Sequence, residues 1–404
     1  MIKPIQRLCL SALLLIAVGP ATAMEAQVAG FGTTSLSCFS NRDADYVLND
    51  QPKGPGRSGK CDEGLDSVLG LQIDAQLTEG LEFGLQVASD RSEDRSFRPD
   101  VSLAQLRWRP APETTVRLGR ILTPAFLHAE DRQVRYAQPW VRPPVEVYGL
   151  LPLYSQDGLE VIHTGRLGAW GAEWQGGLTQ LGFDSPMSNS RETYPVEARQ
   201  ANLSLTLRDE NTLLKAGYSR SRVTVKQPSL NMLLDTLRLL GASDLAADLA
   251  IDDSDAQQIA FGMRHERNRW LMMGEIAYRT LDGFFRDQYG AYVTVARHGG
   301  HWTPYATLAK RWTRGPETDK RAQALGPAMQ AAVESVLASS RFDNTSFSLG
   351  LSRDISEQAL LKLQADWIRP DRNSWGMYTN HAPEYDYAHP GSERLLTLSL
   401  DFVF

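Results

Sequence analysis

The last dozen residues, Glu393–Phe404, read ERLLTLSLDFVF. Leu396, Leu398, Leu400, Phe402 and Phe404 fall on one side of an extended chain, with Thr397, Ser399, Asp401 and Val403 on the other. A period of two with one apolar and one mostly polar face predicts a strand between a greasy and a wet environment. A soluble sandwich also contains such strands, so the rest of the chain has to decide.

The other end narrows the setting. Lys3 and Arg7 precede a short apolar core, Leu8–Val18, and the small residues Ala21-Thr22-Ala23. This pattern predicts a secretory signal peptide over 1–23, too short for a membrane span, and a mature chain from Met24. Cys9 lies at the start of the apolar core, where a lipoprotein cysteine, which follows the core, would not be. Two cysteines follow the leader, Cys38 and Cys61. In an oxidising exported compartment they predict one disulfide.

No later segment approaches the roughly 20 apolar residues of a membrane helix. A hydrophobic fraction of 42% and a net charge of −6 suit a soluble periplasmic protein or a barrel with a polar interior. The pattern along the chain separates the two. Leu65–Leu77 puts Leu69, Leu71, Ile73, Ala75 and Leu77 on one face, against Gln72, Asp74 and Gln76. Thr78-Glu79-Gly80 turns it into a partner with Leu81, Phe83, Leu85 and Val87 alternating with Glu82, Gly84 and Gln86. Ala104, Leu106 and Trp108 alternate with Gln105, Arg107 and Arg109; Trp170, Ala172 and Trp174 face lipid with Glu173 and Gln175 inside. Continued to the end, this gives an all-β chain of about sixteen antiparallel strands, with long and short connections alternating. A transmembrane β-barrel over 24–404 has that rhythm; a soluble sandwich has no reason to keep its long loops at one end.

Three long connections stand out. The third, about 122–156, mixes acids, arginines, aromatics and prolines. Two others, about 228–251 and 318–340, space leucines, methionine and valines at helical intervals and predict amphipathic helices, packed on each other or into the barrel mouth. A lid that stiffens the rim is favoured over a gate.

With Phe404 closing the last strand and an acid- and arginine-rich third loop, the chain resembles Gram-negative outer-membrane porins. The terminal aromatic, with Leu400 and Phe402, is similar to the assembly signal of such barrels. The resemblance implies a third loop folded into the lumen and a water-filled channel for passive diffusion of small hydrophilic solutes and ions. It also implies a homotrimer in the outer membrane, with lipid and lipopolysaccharide around it and the barrel-assembly machinery as a transient partner. Arg107, Arg109 and Arg117 then project inward before the loop. With Arg132 and Arg135 they would form a basic wall, and Glu130 and Asp131 an opposing acidic patch, whose transverse field would orient polar solutes. Elsewhere the inward phase carries Asp74, Glu82, Glu160, Glu173, Glu275, Asp366 and Asp401 against Lys215, Arg279 and Arg311. The signs are mixed and leave ion preference open.

Two rivals remain. A non-conducting structural or adhesin barrel has the same strand pattern. A membrane-embedded hydrolase would need a nucleophile and a base, and Ser155 and His163 sit in no recognisable motif. His298 and His301 flank a Gly-Gly turn without Cys or acidic partners at ligand spacing, so no metal, cofactor or nucleic acid is expected.

Overall fold

The computed structural model describes residues 25–48, 51–151 and 154–404, so the expected signal peptide at 1–23 lies outside the described residues. Among the described residues are sixteen long strands. They are β1 (Ala26–Phe39), β2 (Val68–Thr78), β3 (Leu81–Ser89), β4 (Asp100–Ala111), β5 (Thr114–Leu122), β6 (Ser155–Leu167), β7 (Trp170–Pro186) and β8 (Thr193–Arg208). The second half holds β9 (Thr212–Val225), β10 (Ser254–Arg267), β11 (Trp270–Leu281), β12 (Asp287–Arg297), β13 (Trp302–Arg314), β14 (Asn344–Ser356), β15 (Ala359–Pro370) and β16 (Glu393–Val403). Each pairs antiparallel with its chain neighbours, and β16 returns to β1 from Phe31↔Val403 to Phe39↔Leu395. The sheet is closed, so no edge is left to hydrogen-bond elsewhere, as a membrane interior demands.

The alternation sorts inside from outside. On β16, Leu396, Leu398 and Leu400 are exposed, whereas Thr397, Ser399 and Asp401 are buried. The same parity exposes Leu69 and Leu71 on β2, Trp108 on β4, Leu178 on β7 and Ile276 on β11. An apolar face of this extent suits hydrocarbon. Aromatic residues flank it at both rims. Trp270 and Trp302 stand at the short-turn end, and Tyr278, Tyr289 and Trp312 stack at the other, with ring centroids 4.6 and 5.4 Å apart.

Closure depends on two outward glycines. A Cβ at Gly30 would stand 2.2 Å from the Phe404 ring, and one at Gly32 would stand 2.3 Å from the Phe402 ring. The rings therefore lie flat across β1 and cover the seam. Gly30 N–H donates to the Phe404 carbonyl at 2.8 Å, and Phe404 N–H donates back at 3.0 Å.

Several boundaries differ from the sequence reading. β7 runs to Pro186 instead of Leu181, because Gly182, Asp184 and Pro186 look like turn residues yet pair with Thr193–Glu197 of β8. The first strand also continues to Phe39, since Cys38 pairs with both Leu396 and Cys61. Cys38 and Cys61 form a disulfide, with Cα atoms 4.0 Å apart. It closes a loop with a sequence separation of 23, which by loop entropy contributes about 3 kcal/mol. Replacing both cysteines with alanine is expected to lower the unfolding midpoint in urea without abolishing insertion. An unchanged midpoint would show the loop held by its other contacts.

The helical loops carry α2 (Pro228–Leu239), α3 (Ser243–Leu249), α4 (Lys320–Ala324) and α5 (Pro327–Ser339); the shorter α1 (Val145–Tyr148) lies in the third loop. Leu230, Leu234, Leu237, Leu245 and Leu249 pack with Val333, Leu337 and Phe284 into one cluster. The helices thus cover one another's apolar stripes at the long-loop rim. A further two-residue ladder, Asp45–Tyr46 with Tyr378–Thr379, joins the first and last long loops.

Candidate pore constriction

The third loop lands on a prepared surface. Inward positions of strands usually carry polar groups in such a barrel, yet β10 to β13 present Ala260, Leu271, Met273, Ala277, Tyr292, Ala296, Tyr305 and Ala309. Phe126, Trp140, Val147, Tyr148 and Leu150 of the loop pack on them. Full burial of each large side chain is worth about 1.5–3 kcal/mol before entropy is counted. Polar tips find partners within the same contact. Trp140 Nε1 donates to Thr294 Oγ1 at 2.9 Å and Thr307 Oγ1 at 3.1 Å. Glu275 accepts from the Leu127 amide at 2.7 Å, from Tyr292 at 2.8 Å and from the Tyr148 hydroxyl.

Two cations fasten the loop to the closing strands. Lys362 on β15, with no exposed surface, donates to the carbonyls of Arg135, Gln138 and Trp140 at 2.7, 2.7 and 2.9 Å. Its ammonium also pairs with Asp401 at 2.8 Å. Arg142 bridges Asp66 at 2.6 Å and Asp366 at 2.9 Å, and donates to Thr397 Oγ1 at 2.5 Å. Burial alone would lower the Arg142 pKa, but Asp66 and Asp366 hold it above the ordinary guanidinium value. Burial raises the pKa of Glu146 in α1, whose carboxylate accepts from Asn344 at 2.9 Å. Tyr136 reaches furthest, donating 2.7 Å to the carbonyl of Glu357 in the short β14–β15 turn. The loop therefore spans most of the barrel's height along one side.

The opposite side carries charge that is partly exposed at Asp74, Glu82, Arg107 and Arg117 and fully buried at Glu160. Register sets Glu82, Arg107, Arg117 and Glu160 in one row across β3, β4, β5 and β6. Arg107 pairs with Asp74 and, at 3.4 Å, with Glu82, which also holds Arg109 at 3.1 Å. Arg117 lies between Glu160 at 3.3 Å and Glu130 of the third loop at 3.1 Å. That last contact is where the loop meets the charged wall. Asp131 pairs with His128 at 3.0 Å.

Arg107, Arg109, Arg117, Glu130 and Asp131 are thus brought to the accessible lumen. Arg132 and Arg135 are not. Arg132 is 6% exposed, donates to the carbonyls of Leu151 and Tyr148 at 2.9 and 3.0 Å, and lies over the Tyr154 ring at 4.9 Å. Burial lowers its pKa. Arg135 is 7% exposed beside Asp90. The opposed basic and acidic walls expected from sequence are also not what forms. Neighbouring strands bring opposite charges about 5 Å apart, so they pair sideways along one wall. Lys362 and the Tyr148–Glu275 contact were missed altogether, although the inward apolar residues of β10 to β13 mark where a loop must dock.

A closed sixteen-stranded antiparallel barrel with an apolar outer belt, a charged lumen and one loop folded inward has the fold of porin-type outer-membrane barrels. Solved structures share this fold. The outer-membrane channel DcaP of Acinetobacter baumannii is 11% identical at a TM-score of 0.57, over 94% of this chain and 97% of its own. An anion-selective porin from Comamonas acidovorans is 13% identical at 0.54, over 94% and 100%. The trimer form of OmpT, an outer-membrane protein of Vibrio cholerae, is 11% identical at 0.51, over 95% and 100%. No protein-family model and no curated protein matches the chain. At such identities the likeness is one of fold.

Proposed function

We propose that this barrel is a porin that passes small hydrophilic solutes and ions passively across the outer membrane, with its constriction at the row Glu82–Arg107–Arg117–Glu160 and Glu130 of the third loop. The observation that carries the reading is Arg117, held between wall and loop carboxylates at 3.3 and 3.1 Å on a water-accessible surface. The names of the structural neighbours, a porin and an outer-membrane channel, support it. The trimer form of OmpT supports a homotrimer. The helical loops serve to stiffen the rim, since Leu230, Leu234, Leu237, Leu245 and Leu249 are buried against one another and against Val333 and Leu337. A hydrolase reading is disfavoured because Ser155 and His163 stand far apart along β6, and the His163 ring lies tilted against Trp174, with centroids 5.8 Å apart, on the outer face.

Planar-bilayer recording tests the proposal: folded protein should give discrete conductance steps. No current from folded barrels would defeat it and leave the non-conducting structural barrel. Arg117→Gln should then move the reversal potential in a salt gradient toward cations, because Glu130 and Glu160 lose their counter-charge. A unit charge about 4 Å from a passing ion is worth about 1 kcal/mol in water-like surroundings, roughly fivefold in partition. The shift should shrink near 1 M salt, where screening acts within about 3 Å. Lys60→Gln, in the first long loop, should do much less. An unchanged potential in Arg117→Gln would place the selective point elsewhere.

A further inference from the structure

The lipid-facing wall between β8 and β12 is not smooth. An apolar hollow of about 560 Å³ opens there. Ala216, Gly274 and Ala291 form its floor, and Phe261, Met263 and Ile276 stand up around it. Gly274 keeps the floor low, since a Cβ there would press to 3.0 Å from the Tyr292 carbonyl oxygen.

Directly below, at the short-turn rim, the outer face turns cationic. Arg267 and Arg297 flank Trp270 on adjacent strands, by the pairs Arg267↔Trp270 and Trp270↔Arg297. The Arg297 guanidinium lies 5.3 Å over the Trp270 ring, and on the next hairpin Arg353 lies 4.9 Å over Trp302. Arg267, Arg269 and Arg297 are exposed. Among the described residues none of these three is ion-paired; Glu266 of the same turn is taken by Arg264 at 2.6 Å and His298 at 3.5 Å.

We propose that this combination is a binding site for one anionic phospholipid of the periplasmic leaflet, with its phosphate between Arg267 and Arg297 and an acyl chain in the hollow. The depths agree. Gly274 is four residues above Trp270 on β11, about 13 Å along a strand, and half the hydrocarbon core is roughly 15 Å. A phosphate at the Trp270 girdle therefore delivers the distal half of its chain to Gly274. Charge selects the occupant, because Arg267 and Arg297 offer a phosphate two cations without acidic partners among the described residues, and an apolar protein face would bury them without counter-ions. A zwitterionic lipid fills the hollow but returns less to the rim. The site does not depend on whether the barrel conducts.

Native mass spectrometry of the full barrel in detergent, supplied with dioleoyl phosphatidylglycerol or dioleoyl phosphatidylcholine, tests it. Wild type should retain the anionic lipid roughly thirtyfold more than the zwitterionic one, as two cations at an anionic lipid imply. Arg267→Gln with Arg297→Gln should remove that preference. Ala216→Leu with Ala291→Leu, which fills the hollow, should lower retention of both lipids. Arg220→Gln with Arg222→Gln, on the opposite rim, should leave the preference intact. Heat-modifiable migration checks that each variant is folded. Equal retention of the two lipids by wild type, a preference that survives the first pair, unchanged retention in the second, or equal loss in the third would each overturn the assignment.

Discussion

Replacing Lys362 with methionine is expected to raise single-channel conductance severalfold and to lower the barrel's stability. Methionine keeps much of the side-chain volume but donates nothing. The carbonyls of Arg135, Gln138 and Trp140 and the Asp401 carboxylate would then face each other without a proton between them. Breaking a buried pair in this way costs about 3–5 kcal/mol, most of it from the charge left behind. The segment at Arg135–Trp140 relieves that cost by leaving the wall, which frees lumen on the β15–β16 side. A double variant, Lys362→Met with Asp401→Leu, separates the two effects. It should recover much of the stability, since no carboxylate is stranded, while conductance stays high because the loop still lacks its donor. Bilayer recording and the temperature of heat-modifiable migration read the two quantities. Wild-type conductance in the folded single variant would show that the apolar landing surface holds the loop unaided.

The second large effect concerns the seam. Removing Phe404, or writing Gly30→Leu, should cut the yield of inserted barrel by about tenfold or more. The deletion takes away the ring lying over Gly30 and the paired backbone bonds of 2.8 and 3.0 Å. The substitution leaves the last residue in place and displaces its ring instead. Phe404→Asp should be worse than the deletion, because acids on the lipid face add a depth-dependent cost. Extraction of outer membranes and comparison of heat-shifted bands gives the inserted fraction. Normal levels in all three would mean that strand pairing alone completes the barrel and that the terminal ring is dispensable.

The strand pattern was legible because lipid on one side and water or loop on the other impose the same parity on every strand. Leu396, Leu398 and Leu400 against Thr397, Ser399 and Asp401 needed no partner to be read. The third loop was legible as an exception, but its contacts were not. Whether an arginine serves a pore or a peptide carbonyl depends on backbone atoms that leave no mark in a side-chain pattern, and Arg132 shows this with the carbonyls of Leu151 and Tyr148. Glu130 and Arg117 met as a pair for a different reason, since one sits on a strand whose phase was known and the other on a loop whose path was not. The landing surface was readable in principle. Leu271 and Met273 on β11 and Tyr292 and Ala296 on β12 occupy inward phase, where water alone would not have kept them.

The tether between the third loop and Lys362 also orders events in time. The carbonyls of Arg135, Gln138 and Trp140 wait for a donor more than 220 residues later in the chain, at separations of 227, 224 and 222. Arg142 waits longer still, for Thr397 at a separation of 255. Contacts this distant in sequence form late, after the intervening chain has lost its freedom. A growing sheet that lacks its last two strands therefore offers the loop its apolar landing surface on β10 to β13 but not the Lys362 and Thr397 contacts that fasten it. Sealing the wall and seating the loop become one cooperative step, and an incomplete barrel would leak more than the finished one.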